Sequence, residues 1–153
     1  RNGTSSGGWS VAQCLEHLAL MNVFYLQHWH GAVQEAARVG RGSFQGLHPT
    51  IFGRWFVKSL EPPVRMKAKA IQAATPGSRI ARDECLRHYK ASHEGYRHLV
   101  RSAAAVDVNR IVGPNAIVRQ VRMRLSTVLL VVPAHDRRHL WQAANVKRAV
   151  RGV

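Results

Sequence analysis

Apolar residues recur every three to four positions over three long stretches of this chain, and no stretch of similar length alternates apolar with polar. That period lines one face of a helix, not of a strand. The first stretch opens on a complete start signal. Ser10-Val11-Ala12-Gln13 fits the S-x-x-Q capping box, and Trp9 and Cys14 fall at the N′ and N4 positions of a hydrophobic staple. Val11, Leu15, Leu18, Tyr25, Trp29 and Val33 carry the period onward, which predicts a helix from Ser10 to near Val39 that stops at Gly40.

A Gly-rich loop to Pro49 follows. Thr50 to Leu60 reads as a short aromatic helix ended by Glu61-Pro62-Pro63. Val64 to Pro76 is expected to be irregular, with Arg65, Lys67 and Lys69 as a solvated strip. A third helix is predicted from Ser78 or Asp83 to near Asp107, striped by Leu86, Tyr89, His93, Tyr96, Leu99 and Ala103. Gly113-Pro114-Asn115 breaks the chain. The last helix is predicted from near Ala116 to Val150, with Leu125, Val128, Leu129, Val132, His135, His139, Ala143 and Val146 on one stripe. Leu130 to Val132 would also suit a strand, but the period continues past Pro133. That proline lacks a donor and crowds the carbonyl of Leu129, which predicts a bend within one turn, just before His135. Three long helices and one short one define an all-α bundle.

The 153 residues suffice for a single domain with its own core, spanning 1–153, with 1–8 as a flexible lead-in. No apolar run approaches the roughly 20 residues of a membrane span, so no membrane partner is expected. Cys14 and Cys85 lie far apart, form no CxxC pair and read as small buried hydrophobes, which predicts a reducing, cytoplasmic setting.

Lys and Arg number 23 against 8 Asp and Glu, a formal net charge of +15, which raises nucleic acid as a partner. The basic residues are scattered, and most are Arg, an excess that a GC-rich genome also produces. Even the densest run, Arg119 to Arg151, comes with no RNA-binding aromatic motif, zinc finger or Gly-rich basic tail. A basic nucleic-acid-binding protein is therefore the third reading.

The residues that carry chemistry are histidines. His135 and His139 form H-x-x-x-H, which sets two imidazoles one turn apart on one helical face, about 6 Å apart at the backbone. They extend the apolar stripe, so both face the core. A buried neutral imidazole needs partners for both nitrogens, and two stacked on a core face are hard to satisfy without a ligand. On spacing alone, metal ligands and satisfied core histidines both stay open. His17 is a third candidate, and His93 also faces inward, read as a packing or ligand-orienting residue ahead of a fourth ligand. His28, His30, His48, His88 and His98 read as surface or boundary residues. No Ser-His-Asp arrangement, P-loop or dinucleotide fingerprint competes.

Trp9-Ser10-Val11-Ala12-Gln13-Cys14-Leu15-Glu16-His17-Leu18 resembles the W-S-x-x-[EQ]-x-x-x-H-L opening of the DinB-like superfamily. His135-Asp136-Arg137-Arg138-His139-Leu140-Trp141-Gln142 resembles its closing H-x-x-x-H-L-x-Q motif. The resemblance implies an up-down four-helix bundle with one divalent metal held by His17, His135 and His139. Members usually carry a helix ahead of the Trp-Ser motif, and only eight residues precede Trp9 here. The expectation is a bundle without that first helix, its faces at Leu15, Leu18, Tyr96 and Leu129 lying in an open apolar groove.

Asp136 makes the run H-D-x-x-H, similar to the zincin pattern in which the acid is a general base. A paired surface acid beside Arg137 is the leading reading and a general base the lesser one. Gln142 is a candidate to orient a ligand imidazole. The resemblance implies a metal-dependent thiol S-transferase or hydrolase using zinc, nickel, iron or manganese, with a low-molecular-weight thiol as cosubstrate. Its partners would be that thiol and an electrophile, with a homodimer as a further candidate. The alternative is a non-catalytic metal-binding or dimerising bundle.

Overall fold

A computed structural model describes residues 9–64, 70–115 and 120–151. The first helix, α1, spans Val11–Arg38. Ser10 Oγ accepts from the Gln13 backbone N–H at 3.2 Å, and Gln13 Oε1 accepts from the Ser10 N–H at 2.9 Å, closing the expected capping box. The other end closes as a Schellman motif around Gly40. The Arg41 N–H donates to Ala36 O at 2.9 Å, and the Gly40 N–H to Ala37 O at 3.2 Å. Gly40 takes φ 66°, a left-handed conformation that costs a glycine little.

Helix α2 spans Ile51–Leu60, capped by Thr50 Oγ1 accepting from the Gly53 N–H at 3.0 Å. A short 3-10 turn at Gln72–Ala74 precedes α3, Arg82–Ala103, and α4 spans Leu125–Arg151. The bundle is all-α apart from one minor hairpin: β1 (Val112–Pro114) pairs antiparallel with β2 (Arg122–Arg124), Gly113 opposite Met123.

Packing follows the stripes. Helix α1 lies mainly against α3 and then α4, while α2 lies on α4. Tyr25, Trp29, Val33, Leu99, Val106, Leu125, Val128 and Val132 are among the residues of one continuous core. Helix α2 can approach α4 because Gly53 has no side chain. A Cβ there would stand 2.6 Å from Thr127 Oγ1 and 3.0 Å from its Cγ2, so a methyl group is excluded. Arg137 Nε donates to Glu61 Oε2 at 2.9 Å and ties α4 to the end of α2.

Several expectations need correction. The last helix begins at Leu125, not near Ala116, and Arg122–Arg124 is strand. The reason is local. The first amides of α4 are satisfied by backbone carbonyls of a preceding loop, Leu125 N–H to Ile111 O at 2.8 Å and Ser126 N–H to Val108 O at 3.2 Å. A helix started by main-chain acceptors leaves no cap in its sequence. Helix α3 ends at Ala103, short of Asp107, whose N–H donates to Arg41 O at 3.1 Å instead. Helix α4 does continue through Pro133, as its unbroken apolar period predicts. Of the four residues expected in an open groove, Leu18 and Leu129 are buried and Leu15 and Tyr96 half-buried. The expected lead-in 1–8, the strip at Arg65, Lys67 and Lys69, and the helix start at Ala116 lie outside the described residues.

Cys14 and Cys85 are buried and free, as expected of small hydrophobes. Among the described residues no helix is long and apolar enough to cross a membrane.

Candidate metal centre

Helices α1 and α4 bring His17, His135 and His139 together near the start of α1. One ligating nitrogen from each lies within 4.8 Å of the others. Two nitrogens on one ion at about 2.1 Å are at most about 4.2 Å apart, so a small side-chain adjustment closes the set. The Nε2 atoms of His135 and His139 already stand 3.0 Å apart. The His17 ring centroid is 4.5 Å from that of His139 and 5.2 Å from that of His135.

The orientation of His17 is fixed from behind. Its Nδ1 lies 2.6 Å from the carbonyl oxygen of Ala74 in the 3-10 turn. A carbonyl only accepts, so Nδ1 carries the proton and Nε2 is left with a lone pair. Such a backbone contact is the common support for a metal-ligating imidazole. Trp9 covers the cluster, its ring 4.8 Å from that of His17 and stacked 6.0 Å from that of His139. All three rings are withdrawn from solvent, His17 and His139 fully and His135 nearly so.

Burial and mutual repulsion hold these rings neutral. Desolvation first, then the neighbouring His139, His17 and Arg138, push His135 down to about 2. Desolvation, His17 and Arg138 push His139 down to about 3, against a smaller opposing effect of Gln142. Burial lowers His17, against the Ala74 contact. Neutral imidazoles are the ligating form. Nδ1 of His139 makes no hydrogen bond of good geometry although it is buried. Cys14, one turn before His17, is pushed up to about 11 by burial, so its thiol stays protonated and a poor ligand.

The remaining predicted residues fall elsewhere. Asp136 is buried rather than a surface acid beside Arg137, which pairs with Glu61. Its Oδ2 lies 3.0 Å from His93 Nε2, so His93 faces Asp136 and not the cluster. Tyr89 lies against His93 with its ring tilted by 54° and the centroids 4.4 Å apart. Burial raises the Asp136 carboxyl, opposed mainly by His93. Two contributors escaped sequence reasoning in different ways. Ala74 acts through its backbone and leaves no trace in residue type. Trp9 was visible as a motif residue, but its role over the rings was not.

The basic run does not make one free face. Arg122 donates to Val112 O at 3.1 Å, Arg124 to His48 O at 3.1 Å, and Arg138 is buried.

The fold and site together define a small helical bundle with a buried three-histidine cluster between its first and last helices. The family model of the DinB superfamily matches residues 4–143, and the chain belongs to that superfamily. Neither a curated protein nor a solved structure matches the chain.

Proposed function

We propose that this chain is a metal-dependent DinB-superfamily enzyme of the thiol S-transferase or hydrolase type, with one divalent ion held by His17, His135 and His139. The observation that carries the reading is the convergence of three neutral imidazoles within 4.8 Å, one of them locked by the Ala74 carbonyl. The donor set fits zinc, nickel, iron or manganese, imidazole favouring the first three. When bound, such an ion keeps its full charge over neutral ligands and acidifies a coordinated water or thiol.

The chain's own residues prepare that position. Ala74 holds the His17 lone pair outward, and Trp9 keeps water off the buried side of the rings. The Arg138 guanidinium disfavours protonation of His135 and His139 and adds positive charge beside the site. That charge suits an anionic nucleophile or a carboxylate-bearing substrate. Asp136 is engaged with His93, so it positions α3 against α4 in this reading and is not the base.

The test is a titration of the metal-stripped chain with zinc and nickel. One ion per chain is expected, with at least about tenfold weaker binding in H17A, H135A or H139A. H28A and H98A should bind as the parent does. Equal binding by all five variants overturns the reading. Turnover of a small thiol with an alkyl or epoxide electrophile separates the enzyme from a metal-binding bundle without catalysis.

A further inference from the structure

Helix α2 buries only part of its circumference. Phe56, Val57 and Leu60 pack toward the core and Gly53 sits against Thr127. On the other side Ile51 is 81% exposed, Trp55 55% and Phe52 50%. At 3.6 residues per turn these three project within an arc of about 100°. The rings gather along it, Phe52 lying 5.6 Å from Trp55. Arg54 and Lys58, both exposed, form the adjoining edge of the same arc. No acid lies on α2, and Glu61 just beyond it is taken by Arg137. The preceding loop adds Phe44, 46% exposed, and Leu47, 36% exposed.

We infer that α2 is a docking surface for an anionic lipid bilayer, lying in the interface with Ile51, Phe52 and Trp55 among the acyl chains and Arg54 and Lys58 at the headgroups. An aromatic ridge beside a cationic edge is the composition that settles at such a boundary. Water-soluble surfaces seldom carry large apolar groups this exposed side by side without a use for them. The charge selects the occupant. A second copy would bring its own +15 and its own Arg54 and Lys58 to the same patch, whereas anionic headgroups neutralise both. The earlier expectation of no membrane partner rested on the absence of a spanning run, and a helix lying on the surface needs none.

The inference is independent of the metal site and is tested with the full chain. Vesicles of phosphatidylcholine, and of phosphatidylcholine mixed with phosphatidylglycerol, are floated with the protein. At least about tenfold stronger partitioning onto the anionic vesicles is expected, falling as salt rises. The double variant F52S/W55S keeps every charge and should lose about tenfold of that partitioning. R54E/K58E should lose as much or more. Unchanged helical circular dichroism and unfolding temperature verify that each variant folds. Lipids brominated on their acyl chains should quench indole fluorescence in the parent chain, which needs no substitution. Equal binding to neutral and anionic vesicles, full binding by F52S/W55S, or no quenching overturns the inference. So does a dimer in sedimentation that F52S/W55S dissociates while no protein floats with vesicles, since the patch would then serve a second copy.

Discussion

The hydroxyl of Tyr96 donates to the carbonyl oxygen of Leu129 at 2.6 Å. Within α4 that carbonyl would ordinarily accept from residue 133, which is Pro133 and has no N–H. A side chain from α3 thus supplies the donor the proline withholds, two residues before the first histidine of the pair enters the site. Y96F should leave a buried acceptor unpaired and cost about 1–3 kcal/mol, a fall in Tm of roughly 3–10 °C. In a P133A background, where the backbone donor returns, the same change should cost under about half as much. Equal costs in both backgrounds would mean that the hydroxyl and the proline are not coupled.

Metal binding should appear as stability. The ligands come from opposite ends of the chain, so an ion that needs all three binds only the folded state. At a free ion concentration of about 100 times Kd the gain is about 2.7 kcal/mol, or roughly 5–10 °C in Tm. Differential scanning fluorimetry with zinc, then with excess chelator, should show the rise and its reversal. H139A should show neither.

Acid should weaken the metal-free protein through the same histidines. Folded His135 and His139 sit at about 2 and about 3, below the value of about 6.5 in an unfolded chain. Between those limits the unfolded state binds more protons, so stability rises with pH. Their contribution is complete above about pH 6.5 and is lost progressively as pH falls toward the folded values. Each group can contribute a slope up to about 1.4 kcal/mol per pH unit. Urea midpoints measured between about pH 7 and about pH 5 should fall for the parent and change much less for H135A/H139A. Parallel profiles would count against burial as the cause.

Gly53→Ala tests the crossing of α2 over α4. The new methyl would meet Thr127 Oγ1 at 2.6 Å, so about 1–3 kcal/mol of destabilisation is expected despite the better helix propensity of Ala. Adding T127A removes both clashing atoms and should recover most of the loss. A neutral G53A would show that the two helices can part there freely.

Much of this molecule is written in local patterns. The start of α1 is legible because Ser10 and Gln13 satisfy each other's amides, and its end because Gly40 takes a positive φ. The pair His135 and His139 is legible because helical spacing forces them to one face. The rest depends on contacts distant in sequence. The start of α4 is hidden because Val108 and Ile111 cap it through their carbonyls. Asp136 reads as a surface acid beside Arg137, yet the rotation of α4 against α3 turns it inward to His93. Trp9 fits a staple by position, and only the arrival of α4 shows its ring lying against His139.

The Ala74 carbonyl has a consequence for control. The tautomer of His17 is dictated by a main-chain atom in a short turn, not by a side chain that mutation could exchange. Any event that draws this turn away by an ångström or two frees the Nδ1 proton to migrate. The lone pair on Nε2 is then no longer reserved for the cluster. The 3-10 turn at Gln72–Ala74 in this sense sets the state of a candidate ligand from outside the ligand set, through a main-chain atom alone.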